Sequence, residues 1–153
     1  MLLKISKWLE IIAFKTRQKS LYFELKHYIK NNQSYFRKTH YWERGMGKSY
    51  TLVKLAKKFK CPIVVSNEGS KYYIQRLAQK LHIKNINIIT CNQSHRGKKY
   101  DIILCEEGID EDFIHEVLKP ISNCLVGYIN MDVYHNTKNQ KSFQREYECT
   151  WIK

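Results

Sequence analysis

Trp42-Glu43-Arg44-Gly45-Met46-Gly47-Lys48-Ser49-Tyr50-Thr51 is the stretch whose reading decides the fold. A Gly-x-Gly-Lys-Ser run followed by Leu52, Leu55, Ala56 and Phe59 at helical spacing predicts a loop that opens a helix. Backbone N–H groups at such a junction converge and, with the helix N-terminus, attract phosphate oxygens. In the pattern G-x-x-x-x-G-K-[ST], Lys48 would reach the β- and γ-phosphates and the Ser49 hydroxyl would ligate Mg²⁺. Phosphate contacts are therefore expected along Gly45, Met46, Gly47, Lys48, Ser49 and Tyr50. The first glycine of the pattern is missing; Trp42 stands in its place, and Gly45 restores some of the backbone freedom that a phosphate nest needs. A solvated glycine turn before a basic helix would use the same residues.

Further along, Tyr100-Asp101-Ile102-Ile103-Leu104-Cys105-Glu106-Glu107 is an apolar run ending in two acids. That is the form expected of a strand that faces a phosphate loop and holds magnesium. The first acid, Glu106, would support the metal, and the second, Glu107, would orient or deprotonate the attacking water. Glu106 stands where aspartate is commoner, so its carboxylate reaches one methylene further. The bland alternative is a buried strand ending in a solvated acidic turn, since Asp110, Glu111, Asp112 and Glu116 continue the acidity.

Around these two segments strand and helix patterns alternate. Pro62-Ile63-Val64-Val65 predicts a short buried strand, residues 70–81 a helix with Tyr73, Ile74, Leu77 and Leu81 inward, and Asn87-Ile88-Ile89-Thr90 a further strand. The expected architecture is α/β, three layers around a mostly parallel sheet, with ligands at the carboxyl ends of the strands. Residues 35–43 should be the strand feeding the glycine loop, yet they alternate aromatic and basic side chains where a central parallel strand would be continuously apolar. That interleaving suits either an edge-like strand or a surface that stacks and neutralises single-stranded nucleic acid. Upstream, Ile5, Trp8, Leu9 and Ile12 predict one amphipathic helix over residues 2–14, and Leu21, Leu25, Tyr28 and Ile29 predict a second. Residues 1–32 are read as an N-terminal helical cap and residues 33–153 as the core domain.

The charge is uneven along the 153 residues. Residues 1–60 hold 15 Lys and Arg against 3 Asp and Glu, residues 61–100 hold 7 against 1, and residues 101–153 hold 5 against 10. A basic first half, within a net charge of +13, points to a polyanionic partner, nucleic acid first or a protein that handles it. Cys61, Cys91, Cys105, Cys124 and Cys149 are odd in number and without a C-x-x-C pair, as in reduced core positions of a cytosolic protein. Cys91 and His95 lack the second close pair of a zinc site. Residues 8–14 are too short and too interrupted by Glu10 for a secretory signal, and no run approaches the ~18 apolar residues of a membrane span. A soluble, cytoplasmic protein without a membrane partner is expected.

With both motifs in hand, the chain resembles the P-loop NTPases that carry an extra catalytic glutamate, and within them the ATPase domains of phage large terminases and related helicases. The resemblance rests on Arg44-Gly45-Met46-Gly47-Lys48-Ser49-Tyr50-Thr51, on Ile63-Val64-Val65-Ser66-Asn67, on residues 99–107, and on Leu125-Val126-Gly127-Tyr128-Ile129-Asn130, and spans residues 35–132. It implies ATP with Mg²⁺ as cofactors, Asn130 near the γ-phosphate at the end of the strand that couples hydrolysis to movement, and Arg44 neutralising γ-phosphate charge. Terminases continue into a nuclease domain and helicases into a second motor domain. About 20 residues follow Asn130 here, with one more strand expected over residues 142–151. The chain is therefore read as a small accessory ATPase of phage or mobile-element type, or a subunit whose copy completes the site in trans. Two alternatives are a degenerate P-loop module that inhibits or scaffolds a nucleic-acid enzyme, with Trp42 filling part of the pocket, and a small nucleotide kinase using Arg96-Gly97-Lys98-Lys99 as lid. The absence of an N-K-x-D segment leans toward adenine over guanine.

Overall fold

The structure, a computed structural model, describes residues 2–132. The strand expected over residues 142–151 and Cys149 lie outside them. In order, the chain forms α1 (Leu2–Lys30), β1 (Tyr35–Thr39), a 3-10 turn (Tyr41–Glu43), α2 (Lys48–Phe59), β2 (Ile63–Val65), α3 (Glu68–Lys80), β3 (Ile88–Thr90) and β4 (Tyr100–Cys105). A short helical segment follows, α4 (Glu111–Phe113), which runs into a π-helical turn (Ile114–Leu118) and a 3-10 turn (Lys119–Ile121) before β5 (Ser122–Asn130).

The five strands make one sheet in the order β1-β5-β4-β2-β3, and every pairing is parallel. The expected α/β alternation around a parallel sheet is thus present. Inside strands are apolar runs because both their faces are covered: Ile63, Val64, Val65, Ile103, Leu104 and Val126 are wholly buried. Alternate residues feed two cores. On one face Ile63, Val65, Leu104, Cys124, Val126 and Tyr128 pack with Leu52, Val53, Leu55 and Ala56 of α2, Ile74 and Ala78 of α3, and Leu21, Leu25 and Ile29 of α1. On the other face Val64, Ile103, Cys105 and Leu125 meet Ile114 and Leu118.

Among the described residues β1 is an edge strand, paired only with β5, which accounts for its aromatic and basic alternation. Its polar side chains are absorbed locally: the Tyr35 hydroxyl donates to Glu24 at 2.6 Å, Arg37 donates to the other oxygen of the same carboxylate at 2.6 Å, and the Tyr35 ring stacks on Tyr28 at 3.9 Å. These contacts tie Tyr35 and Arg37 to α1. β1 also ends at Thr39, earlier than the sequence pattern suggests, and the chain enters the 3-10 turn before the glycine loop.

Two expectations about helices are corrected. Residues 2–30 form one continuous helix where two were expected, since Lys15-Thr16-Arg17-Gln18 contains no glycine or proline to break it. At about 100° per residue, the Ile5-Trp8-Leu9-Ile12 stripe points roughly 150° away from the Leu21-Leu25-Ile29 seam that packs on the core. The first stripe therefore stays in solvent, with Trp8 63% exposed, and only the second half of α1 covers the sheet. In α3, Tyr73 was expected inward but is 59% exposed, and Ile74 and Ala78 carry the buried face. Among the described residues no helix is long and apolar enough to cross a membrane.

Candidate functional site

Because every strand runs the same way, the carboxyl ends of β1, β2, β4 and β5 share one rim of the sheet. The glycine loop leaves β1 at that rim, and the two acids follow β4 there. Gly45 has φ +78° and Gly47 φ +84°, a left-handed backbone that side-chain-bearing residues rarely adopt. A Cβ on Gly47 would also fall 2.6 Å from Gln18 of α1, which crosses over the loop. Gly47 is the N-cap of α2 and supplies no side-chain bond to the first turn. The leading N–H groups of α2 are therefore presented at the rim, as an anion site requires.

The turn before the loop is held by its own polar groups. Glu43 accepts the His40 N–H at 2.9 Å, and His40 stacks on Trp42 at 4.2 Å. Trp42 is 64% exposed and does not line the cavity beside the loop. The expectation that it fills part of the pocket is thereby corrected: the 3-10 turn swings its indole outward.

A cavity of about 150 Å³ lies against the loop, lined by Arg44, Gly45, Lys48 and Ser49 on one side and Glu106, Glu107 and Tyr128 on the other. Two segments distant in sequence thus meet across it. Lys48 Nζ sits 2.7 Å from Glu107 Oε2 and donates to the Glu43 carbonyl at 3.1 Å, with the Lys48 and Glu107 side chains 13% and 21% exposed. The Thr39 hydroxyl lies 3.5 Å from the same Glu107 oxygen and donates to the Ile129 carbonyl at 3.1 Å.

Glu106 Oε2 is shut off from solvent. Burial first, and the neighbouring Glu107 charge second, push its carboxyl above the usual carboxylate range, partly offset by the Gly108 and Ser66 backbones and the Ser70 hydroxyl. Glu106 and Ser49 line the same cavity, and a carboxylate and a hydroxyl are oxygen ligands of the kind a hard cation takes. Among the described residues no cluster of three or more His, Cys, Asp or Glu side chains forms a closed metal cage. Magnesium suits such a sparse oxygen set, since it keeps waters and substrate phosphates in its shell.

The side chains of the remaining predicted residues point elsewhere. Met46 packs against the core and Tyr50 turns into a cleft between α1 and α2. Asn130 ends β5 opposite Thr39, does not line the cavity, and accepts the Asp132 N–H at 3.0 Å. Sequence reasoning missed Tyr128 as part of the cavity wall. Its hydroxyl and that of Thr51 are both buried, and burial pushes the phenol above its ordinary range, partly offset by the Thr51 hydroxyl beside it. It also missed Ser66 and Ser70 beside Glu106; the signal was Ser66 directly ending β2, the strand next to β4. No protein-family model, curated protein or solved structure matches this chain.

Proposed function

We propose that the chain is a P-loop NTPase domain of the kind that carries an additional catalytic glutamate, binding ATP with Mg²⁺ and hydrolysing it slowly in the service of nucleic acid or a nucleic-acid-handling complex. The observation that carries the reading is the Lys48–Glu107 contact of 2.7 Å across a cavity walled by a left-handed glycine loop and the uncapped start of α2. A lysine, a helix N-terminus and two carboxylates gathered on one rim match the needs of phosphoryl transfer to water.

In this reading the α2 N–H groups and Lys48 hold the phosphates, and Arg44 offsets their charge from the loop. Lys48 exchanges Glu107 for phosphate when nucleotide enters. Glu107, relieved of its cation, accepts a proton from the water that attacks the γ-phosphorus as the bridging P–O bond breaks. Ser49 and Glu106 would hold Mg²⁺, whose charge neutralises the phosphates. The test is calorimetry with MgATP on wild type and Lys48→Ala, followed by phosphate release with Glu107→Gln. Binding that vanishes in Lys48→Ala supports the reading; equal binding by both proteins refutes it.

The pairing of Lys48 with Glu107 favours a second reading in the same experiment. If the wild type binds no nucleotide, the 150 Å³ site with Lys48 neutralised by Glu107 is a degenerate P-loop serving as a binding module.

A further inference from the structure

α1 and α2 leave a cleft of about 510 Å³ between them, walled by Lys15, Lys19, Tyr22 and Phe23 from α1 and by Tyr50 and Lys54 from α2. Among the described residues no carboxylate lines it. Glu24, next after Phe23 in the chain, is turned away to Tyr35 and Arg37 of β1. The cations sit on aromatic faces: Lys54 lies 4.6 Å from the Tyr50 ring centroid, and Lys26, one turn further along α1, lies 5.4 Å from that of Phe23. Phe23 remains 60% exposed.

We propose that this cleft binds single-stranded nucleic acid. Three lysines without an acid among them repel one another, and a phosphate backbone supplies the missing counter-charge. The Phe23 ring, largely exposed beside those lysines, offers surface on which an unpaired base stacks. A duplex keeps its bases stacked inside and cannot present them to Phe23 or Tyr50. The cleft also touches the glycine loop, because Gln18 lies both in its wall and against Gly47, while Tyr50 follows Ser49 in the chain. A strand seated there would press on the element that holds phosphate. The inference takes its partner class from the function proposed above and deepens it by naming the surface; it does not require nucleotide binding.

The test is fluorescence anisotropy of a labelled oligothymidylate titrated with the full chain, with a duplex and inorganic polyphosphate as competitors and MgATP calorimetry in parallel. Phe23→Ala should weaken oligonucleotide binding about tenfold, the worth of one lost base stack. Lys19→Gln should lower the salt slope by about 0.7, the loss of one phosphate contact to a single strand. Both variants should bind MgATP as the wild type does. Oligonucleotide binding unchanged in both variants overturns the proposal, as does displacement by duplex or polyphosphate as readily as by unlabelled single strand. Loss of MgATP with oligonucleotide binding retained also overturns it, by assigning the cleft to the nucleotide's own base. A wild type that binds no MgATP but loses oligonucleotide binding in Phe23→Ala sinks the ATPase reading and leaves this one standing.

Discussion

Replacing Glu107 by glutamine should tighten MgATP binding while stopping its turnover. Lys48 pairs with Glu107 at 2.7 Å, and in the proposed reading phosphate must displace that carboxylate to reach the ammonium. Solvent-exposed ion pairs are worth up to about 1 kcal/mol, and breaking fully buried ones costs about 3–5 kcal/mol. With side chains 13% and 21% exposed, this pair lies between, and after discounting for residual solvent its removal frees about 1–2 kcal/mol for phosphate. Glutamine also removes a negative charge that would face the γ-phosphate. At a factor of ten for each 1.4 kcal/mol, the dissociation constant should fall roughly 5- to 30-fold. Phosphate release should drop by about 10²–10⁴, the usual worth of a positioned general base. Calorimetry with MgATP on wild type, Glu107→Gln and Lys48→Met measures the first effect, and single-turnover phosphate release the second. A folded Glu107→Gln protein with unchanged or weaker affinity would refute the idea that Glu107 competes with phosphate for Lys48.

Other consequences are more local. Gly127→Ala should cost about 3 kcal/mol or more in urea denaturation, because its Cβ would lie 2.1 Å from the Cys105 carbonyl oxygen of the neighbouring strand, a backbone atom that cannot step aside; a change under about 0.5 kcal/mol would contradict the packing. Leu25→Ala in the buried seam of α1 should cost about 2–5 kcal/mol, whereas Ile12→Ala on the exposed stripe of the same helix should cost under about 0.5 kcal/mol. Equal costs would mean that the first half of the helix packs in solution. The raised Glu106 carboxyl gives a pH dependence of definite sign. An acid whose folded pKa exceeds its unfolded value favours the fold most at low pH, and that contribution is lost as pH rises from the ordinary carboxylate range through the raised value. Glu106→Gln should flatten this part of the melting profile and raise the melting temperature at neutral pH; a variant less stable than wild type there would reverse the assignment. Over the same window Mg²⁺ affinity of the wild type should increase with pH, since the ion needs the deprotonated oxygen.

The strands, α2 and α3 were legible because their signals are local. Short apolar runs such as Ile63-Val64-Val65 and Ile102-Ile103-Leu104-Cys105 bury both faces wherever they end up, and Gly-x-Gly before a periodic segment sets left-handed turns within the loop itself. The continuity of α1 was not legible in the same way. Two apolar stripes at different angles look like two helices until the backbone between them is seen to stay helical. Trp42 was misplaced for a related reason: its position in a motif says which residue precedes the loop, and the 3-10 turn decides where the indole points.

The sequence by itself determined that a glycine loop opens a helix, that two acids end a buried strand, and that the first half of the chain is strongly basic, because each of these is a matter of near neighbours and composition. Only the tertiary structure decided that β1 lies at the edge, that β5 stands between it and β4, and that Lys48 meets Glu107 while Asn130 turns to Asp132. It alone brought Tyr128 into the cavity wall and set Phe23 and Tyr50 on a common basic cleft. Strand order and helix crossing are fixed by the mutual burial of segments far apart in the chain, and no local pattern records which of them will become neighbours.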